Sequence, residues 1–227
     1  MPYGLALHTT STQLGLALID CADLNQGSIR TGSHDLGRDM VTHLHLYTLE
    51  FLAPQVWSDL DFIAVAKGPG SFTSTRLGVV MARTIGQQLA IPVFGISTLE
   101  AAAYADLRSP PSNTGATSGG QSIAQPINCD RAVELEASRG EVFTGIYRYD
   151  RDRDEMSCLH ADAALSLPAW QDLLMAQTPS PIPLKVDLTN VVRDTTAMAI
   201  LAQKRWQRGD RPSWAEAIPF YGQHPVT

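Results

Sequence analysis

The stretch FIAVAKGPGSFTSTRLGVV, Phe62 to Val80, constrains the fold of this chain more than any other. An apolar run of strand formers passes into a glycine and proline turn and then into an apolar-periodic segment, which gives the local order strand, turn, helix. Gly68 and Gly70 supply backbone freedom, Pro69 fixes φ between them, and Ser71 or Thr73 stands where a helix is capped. The first N–H groups of such a helix attract anions, so the stretch reads either as a phosphate cradle or as a tight entry to a helix. Its spacing departs from both common phosphate patterns. Gly78 is followed by Val79 rather than Lys, Lys67 precedes the loop, and Thr73 stands where the third glycine of G-x-G-x-x-G belongs. Spacing therefore favours a structural turn made by Gly68, Pro69, Gly70, Ser71, Phe72 and Thr73.

The flanking sequence extends this unit into a mixed α/β layout. LALHTTSTQLGLALID reads as a β-hairpin, with a weaker third strand between residues 28 and 36. MVTHLHLYTLEFL, ended by Pro54, reads as a helix over residues 40–52. After FIAVA come a helix from Leu77 to Ala90, a strand in PVFGIS, and a helix in TLEAAAYADL with Thr98 as its cap. Residues 108–125 are rich in Ser, Gly, Pro and Thr and lack the large apolar side chains that build a core, which predicts a mobile loop. RAVELEASRGEVFTGIYRY opens a second half as another hairpin, and Thr195 to Arg208 has helical periodicity with Gly209 as a stop. The alternating acids and arginines from Asp150 to Glu155 read as a solvated turn.

Bulk properties exclude several function classes. No apolar run approaches the roughly 20 residues needed to span a bilayer, and MPYGLALHTTSTQ lacks the basic start of a signal peptide. A cytoplasmic location and no membrane contact are the expectation. Cys21, Cys129 and Cys158 are odd in number and far apart, which suits reduced core thiols and not a zinc site. The net charge of −6 is the wrong sign for gripping nucleic acid unaided, so any RNA is expected to be held by a partner.

Two helices carry more apolar surface than one sheet can cover. Leu77, Gly78, Val79, Met81, Ala82, Ile85, Gly86 and Leu89 sweep an arc of roughly 200°, about twice the stripe of an ordinary surface helix. Met40, Val41, Leu44, Tyr47, Phe51 and Leu52 form a broad side of the earlier helix, with Leu46 and Leu49 outside it. Either both helices are sandwiched within the chain or their second faces meet another subunit. The candidate interface set is Leu44, Tyr47, Phe51, Leu77, Gly78, Met81, Ala82, Ile85 and Gly86. Catalytic chemistry is sparse by comparison. His43 and His45 diverge on a helix and cannot share a metal, His8 reads as a satisfied buried histidine, and Ser71 is outside G-x-S-x-G.

LALHTTST with GLALID, then FIAVAKGPGSFTSTRLGVVMARTIGQQLAIPVFGISTLEAAA, EASRGEVFTGIY and IPFY together resemble the TsaB (YeaZ) family. The resemblance covers most of residues 4–104 and the hairpin at 132–147. It implies the actin, sugar kinase and Hsp70-like (ASKHA, ribonuclease H-like) fold with two related α/β domains. These would be residues 1–105, a linker at 106–128, and residues 129–227, whose last helix packs back on the first domain. It also implies a non-catalytic subunit that pairs with TsaD for N6-threonylcarbamoylation of adenosine 37 in tRNAs reading A-starting codons. On that pattern ATP and metal belong to partner subunits, including a TsaE homologue, the chain itself needs no cofactor, and it forms a homodimer when alone. The helix after GPGSFT and the one before it make the contact. His8 stands where the family has aspartate, Ser138 where its D-A-R has arginine, and Ser74 where F-T-G has glycine, departures that weaken independent nucleotide use. The alternative is an ATP-binding phosphotransferase-like enzyme using the Gly68 to Thr73 loop.

Overall fold

The computed structural model describes residues 2–22, 28–108 and 128–222. Strands β1 (Tyr3–His8) and β2 (Gln13–Asp20) are apolar at almost every position and buried on both faces, so they demand cover above and below. They pair antiparallel, and β3 (Ile29–Asp35), whose polar residues leave one side in water, extends the meander as an edge strand. Helix α1 (Met40–Leu52) crosses over to β4 (Leu60–Ala66), parallel to β1, and α2 (Phe72–Leu89) crosses to β5 (Val93–Ile96), parallel to β4. The sheet order is β3-β2-β1-β4-β5. Helix α3 (Thr98–Arg108) follows.

The second half repeats the start of the first. β6 (Asn128–Glu136), β7 (Glu141–Asp150) and β8 (Glu155–Ser166) form a meander, and α4 (Leu167–Met175) crosses to β9 (Ile182–Val186), parallel to β6. The order β8-β7-β6-β9 matches β3-β2-β1-β4 position by position. Helix α5 (Val191–Gln207) follows, and a short 3-10 turn at Trp214–Glu216 comes after it.

Cover for the two sheets is exchanged between halves. Leu5, Leu7, Leu14, Leu16, Ile63 and Val65 face α1 and α2 on one side of the first sheet. Ala6, Ala17 and Ala64 on the opposite side accept α5, whose Ala197, Ala199 and Ala202 approach closely. Gly15 makes that approach possible, since a Cβ there would strike the Thr195 hydroxyl and Val191. α3 in turn places Leu99, Ala102 and Ala103 against Val133, Leu135 and Tyr147 of the second sheet. The buried Trp170 of α4 covers that sheet's outer face, and its indole N–H donates to Glu134.

The helices at 40–52, the strands near 60–66 and 93–96, and both hairpins fall where the sequence places them. α2 begins at Phe72, not Leu77, because Ser71 already occupies the N-cap position. The cap of α3 is Ser97 rather than Thr98, its Oγ accepting from the N–H groups of Leu99 and Glu100. The turn after Asp150 is not simply solvated. Asp154 accepts from the Tyr149 hydroxyl and pairs with Lys204 of α5. Cys158 is exposed, while Cys21 and Cys129 are buried thiols. The loop expected at 108–125 lies outside the described residues apart from Arg108, which ends α3.

Candidate functional site

The glycine turn is a tie point for three other parts of the chain. Ser71 N–H donates to Thr10 O at 2.7 Å, Thr98 N–H to Gly68 O at 2.9 Å, and Phe220 N–H to Lys67 O at 2.7 Å. Gly68 has φ +102°, a conformation that suits glycine, and a Cβ at Gly70 would collide with Thr10. The Ser71 side chain makes no bond to the helix backbone and donates instead to Ser74 Oγ at 3.2 Å. Phe72 projects from the turn, and the Arg76 guanidinium lies 4.3 Å from its ring centre and 5.0 Å from that of Tyr221.

Beside the turn, a cleft of about 580 Å³ runs between the halves, lined by Gly70, Ser71, Phe72, Glu136, Ser138 and Phe143 among others. Among the described residues no three His, Cys, Asp or Glu side chains gather closely enough to hold a metal. His8, at the end of β1, is fully buried, and that burial pushes its pKa down to about 4. Its Nε2 lies 3.4 Å from Thr10 Oγ1, but its Nδ1 meets no partner among the described residues, so the expectation of a satisfied histidine is corrected to a half-satisfied one. A second polar cluster joins α3, β7 and β8. The Tyr147 hydroxyl donates to the Asp162 carboxylate and accepts from Ser97 Oγ, 3.1 Å away, and Glu100 pairs with Arg205 of α5. Burial raises the pKa values of Glu100 and Asp162 against the pull of neighbouring cations.

The two suspected helices divide the predicted residues between two environments. Gly78, Ala82 and Gly86 line the sheet side of α2, where a Cβ at Gly78 would run into Thr9 and one at Gly86 into Val93. This small-residue row serves close packing on the chain's own sheet and cannot present an outer face, which corrects the sequence assignment. Leu44 is likewise buried, alongside Met40, Thr48 and Leu52. Tyr47, Phe51, Leu77, Met81 and Ile85 are half-buried around the same core. Facing water are residues outside the predicted set: Val41, Leu46 and Leu49 of α1, 60%, 46% and 53% exposed, and Val80 of α2, 61% exposed.

Arg30 fixes the far end of α1 and was not legible as a site residue. From β3 it donates to the carbonyls of Phe51, Leu52 and Ala53 and to the Gln55 side chain, and it stacks over Phe51. Helix C-terminal carbonyls lack intrahelical donors, and a cation is the group that best satisfies them.

Comparison with known proteins finds likenesses in sequence and in fold. Residues 53–133 match the family model described as TsaD: tRNA N6-adenosine threonylcarbamoyltransferase. The tRNA threonylcarbamoyladenosine biosynthesis protein TsaB of Bacillus subtilis is 31% identical over 172 residues, 75% of this chain and 65% of that protein. The chain is similar to TsaB/YeaZ proteins in sequence. TsaB of Buchnera aphidicola is 49% identical over 41 residues, 18% of this chain and 20% of its own length. The solved structure of YeaZ from Pseudomonas aeruginosa superposes with a TM-score of 0.68 at 20% identity, covering 97% of this chain and 100% of that one. A further structure, described as an uncharacterized protein with similarity to peptidase YeaZ from Pseudomonas aeruginosa, gives 0.70 at 21% identity over 98% and 100% of the two chains. With its two repeated halves and exchanged helices, the chain has a YeaZ-like α/β fold. The alignment spans just under two thirds of the Bacillus protein.

Proposed function

We propose that this chain works in tRNA threonylcarbamoyladenosine biosynthesis as a non-catalytic subunit that docks on a TsaD homologue through the solvent side of α1 and α2. The names of its relatives support the pathway, and the match to the TsaD family model over residues 53–133, which include all of α2, supports the partner. The observation that carries the docking is the exposure of Val41, Leu46, Leu49 and Val80 on helices whose other sides are already filled. Fully covering such a side chain contributes about 1.5–3 kcal/mol, and covering a half-exposed one roughly half of that, before the cost of association is subtracted. Four together are enough to matter. The TsaD homologue supplies metal and transfer chemistry, a TsaE homologue supplies ATP turnover, and tRNA is held by these partners in the cytoplasm. The same face gives a homodimer when the chain is alone.

The test is the threonylcarbamoyladenosine content of bulk tRNA after depletion of this protein and re-expression of variants. Wild type restores the nucleoside, and Leu49→Glu and Val80→Glu do not, although both leave the fold intact because neither side chain enters the core. An unchanged nucleoside level on depletion removes the pathway. Full rescue by both variants removes the docking face.

A further inference from the structure

At the edge of the first sheet, beyond β5, lies a second cavity of about 490 Å³, a size that suits a small ligand. It shares no lining residue with the cleft beside the glycine turn. Lys67, Arg205 and Arg211 line it against Asp210 and Glu216, so its walls are net positive on a chain whose net charge is −6. We infer that this cavity binds a small organic oxyanion, a carboxylate or phosphate joined to an apolar group, with Lys67 as the principal cation.

Lys67 is fixed at its root and unpartnered at its tip. Its N–H donates to Ile96 O at 2.9 Å, and its carbonyl accepts from Phe220 N–H at 2.7 Å. The stem then crosses Gly95, with Cδ 3.6 Å from the point where a Cβ on that residue would stand. Among the described residues the ammonium makes no hydrogen bond or ion pair. The carboxylates of Glu100 and Asp162 feel its charge, but each is bonded elsewhere, to Arg205 and to Tyr147. A half-buried ammonium carries three donors, and an anion in the cavity would satisfy them.

Further donors face the same space. Arg205 holds Glu100 through Nη2, and the other N–H groups of its guanidinium have no acceptor among the described residues. On β5, Val93 turns its N–H outward to Pro212 O at 3.3 Å. Gly95 lies two residues along and so on the same edge, and its N–H has no acceptor among the described residues. Arg211 is held by the Trp206 and Asp210 carbonyls and adds charge rather than reach. Glu216 accepts from Ser213 N–H, which leaves the exposed Asp210 as the opposing acid. The apolar part of the ligand has Phe94 and Ile218 to lie against. Hydrogen bonds between an oxyanion and charged donors are roughly twice as strong as neutral ones, so the charged group sets the affinity.

The experiment titrates the purified chain with benzoate, phenyl phosphate and benzyl alcohol at constant ionic strength, following the Gly95 amide in proton–nitrogen correlation spectra. The expected result is a saturable shift with one or both anions and none with the neutral alcohol, the tighter anion showing which oxyanion the cavity prefers. Lys67→Gln raises Kd about tenfold or more, while Lys185→Gln, on the edge of the other sheet, leaves it unchanged. Ile218→Glu, at an exposed position of the cavity wall, weakens binding without touching the core, and circular dichroism confirms the fold of each variant. No saturable shift with either anion, an equal response to benzyl alcohol, or an affinity unchanged in Lys67→Gln and Ile218→Glu overturns the inference. None of these readings involves a partner protein, so the docking proposed above stands or falls separately.

Discussion

Gly78→Ala separates the two surfaces of α2. In a solvent-facing helix position the change is favourable by about 1 kcal/mol, because glycine forfeits more backbone entropy than alanine on becoming helical. Here the new methyl enters the space of the Thr9 side chain, with the Thr9 Cγ2 3.1 Å and Cβ 3.2 Å from it and the hydroxyl nearer still. Thr9 is fully buried beside β1, so it cannot swing into water to make room. Overpacking of a filled core costs about 1–3 kcal/mol, and subtracting the helix gain leaves a net loss of up to about 2 kcal/mol. For a domain of this size that lowers Tm by up to about 8 °C. Thermal unfolding followed by circular dichroism, with Thr84→Ala as an exposed control on the same helix, reads it directly. A rise in Tm for Gly78→Ala would refute the assignment of this row to the chain's own core and return it to the outer face.

Arg30→Met should uncap α1, costing about 1–3 kcal/mol for hydrogen bonds made by a charged donor, and should speed amide exchange in the last turn of α1 while leaving β6–β9 unchanged. Arg205→Met leaves Glu100 buried without its partner and should destabilise by about 3–5 kcal/mol in urea unfolding, with Glu100→Gln in the same chain recovering part of the loss. His8 has a folded pKa near 4, below that of an unfolded histidine, so its share of stability is complete above pH 6.5 and drains away as pH falls toward 4. Between pH 7 and 4.5 wild type should lose about 2.5 kcal/mol more than His8→Leu, a difference of unfolding free energies in which the carboxylates common to both proteins cancel.

What was legible in the sequence follows from how local each signal is. Phe62 to Val80 places a strand, a glycine turn and a helix within one stretch, and Met40 to Leu52 carries its own period and its own stop at Pro54. β8, α4 and β9 were not foreseen, because EMSCLHADAALS alternates only partly and IPLKV is an exposed edge with a proline. Their places are fixed by pairing with β7 and β6, which no short window contains. Arg30 was silent for the same reason, since its carbonyl partners lie more than twenty residues away.

The error over the small-residue row has a different cause and is more instructive. Gly78, Ala82 and Gly86 announce that a backbone approaches closely, but spacing cannot say whose backbone it is. A wide apolar arc raises the same ambiguity, and the two signals were assigned to one surface when they belong to opposite ones. The small row lets α2 settle on β1 and β5, which rotates Val80 outward and leaves it in water. On α1, the buried Met40, Leu44, Thr48 and Leu52 likewise turn Val41 and Leu49 away from the sheet. Close packing on the inside is thus what aims the apolar residues on the outside, so a defect such as Gly78→Ala should impair docking through stability and geometry. Val80→Glu should impair it with stability unchanged, and measuring Tm and pairing on both proteins distinguishes the two routes.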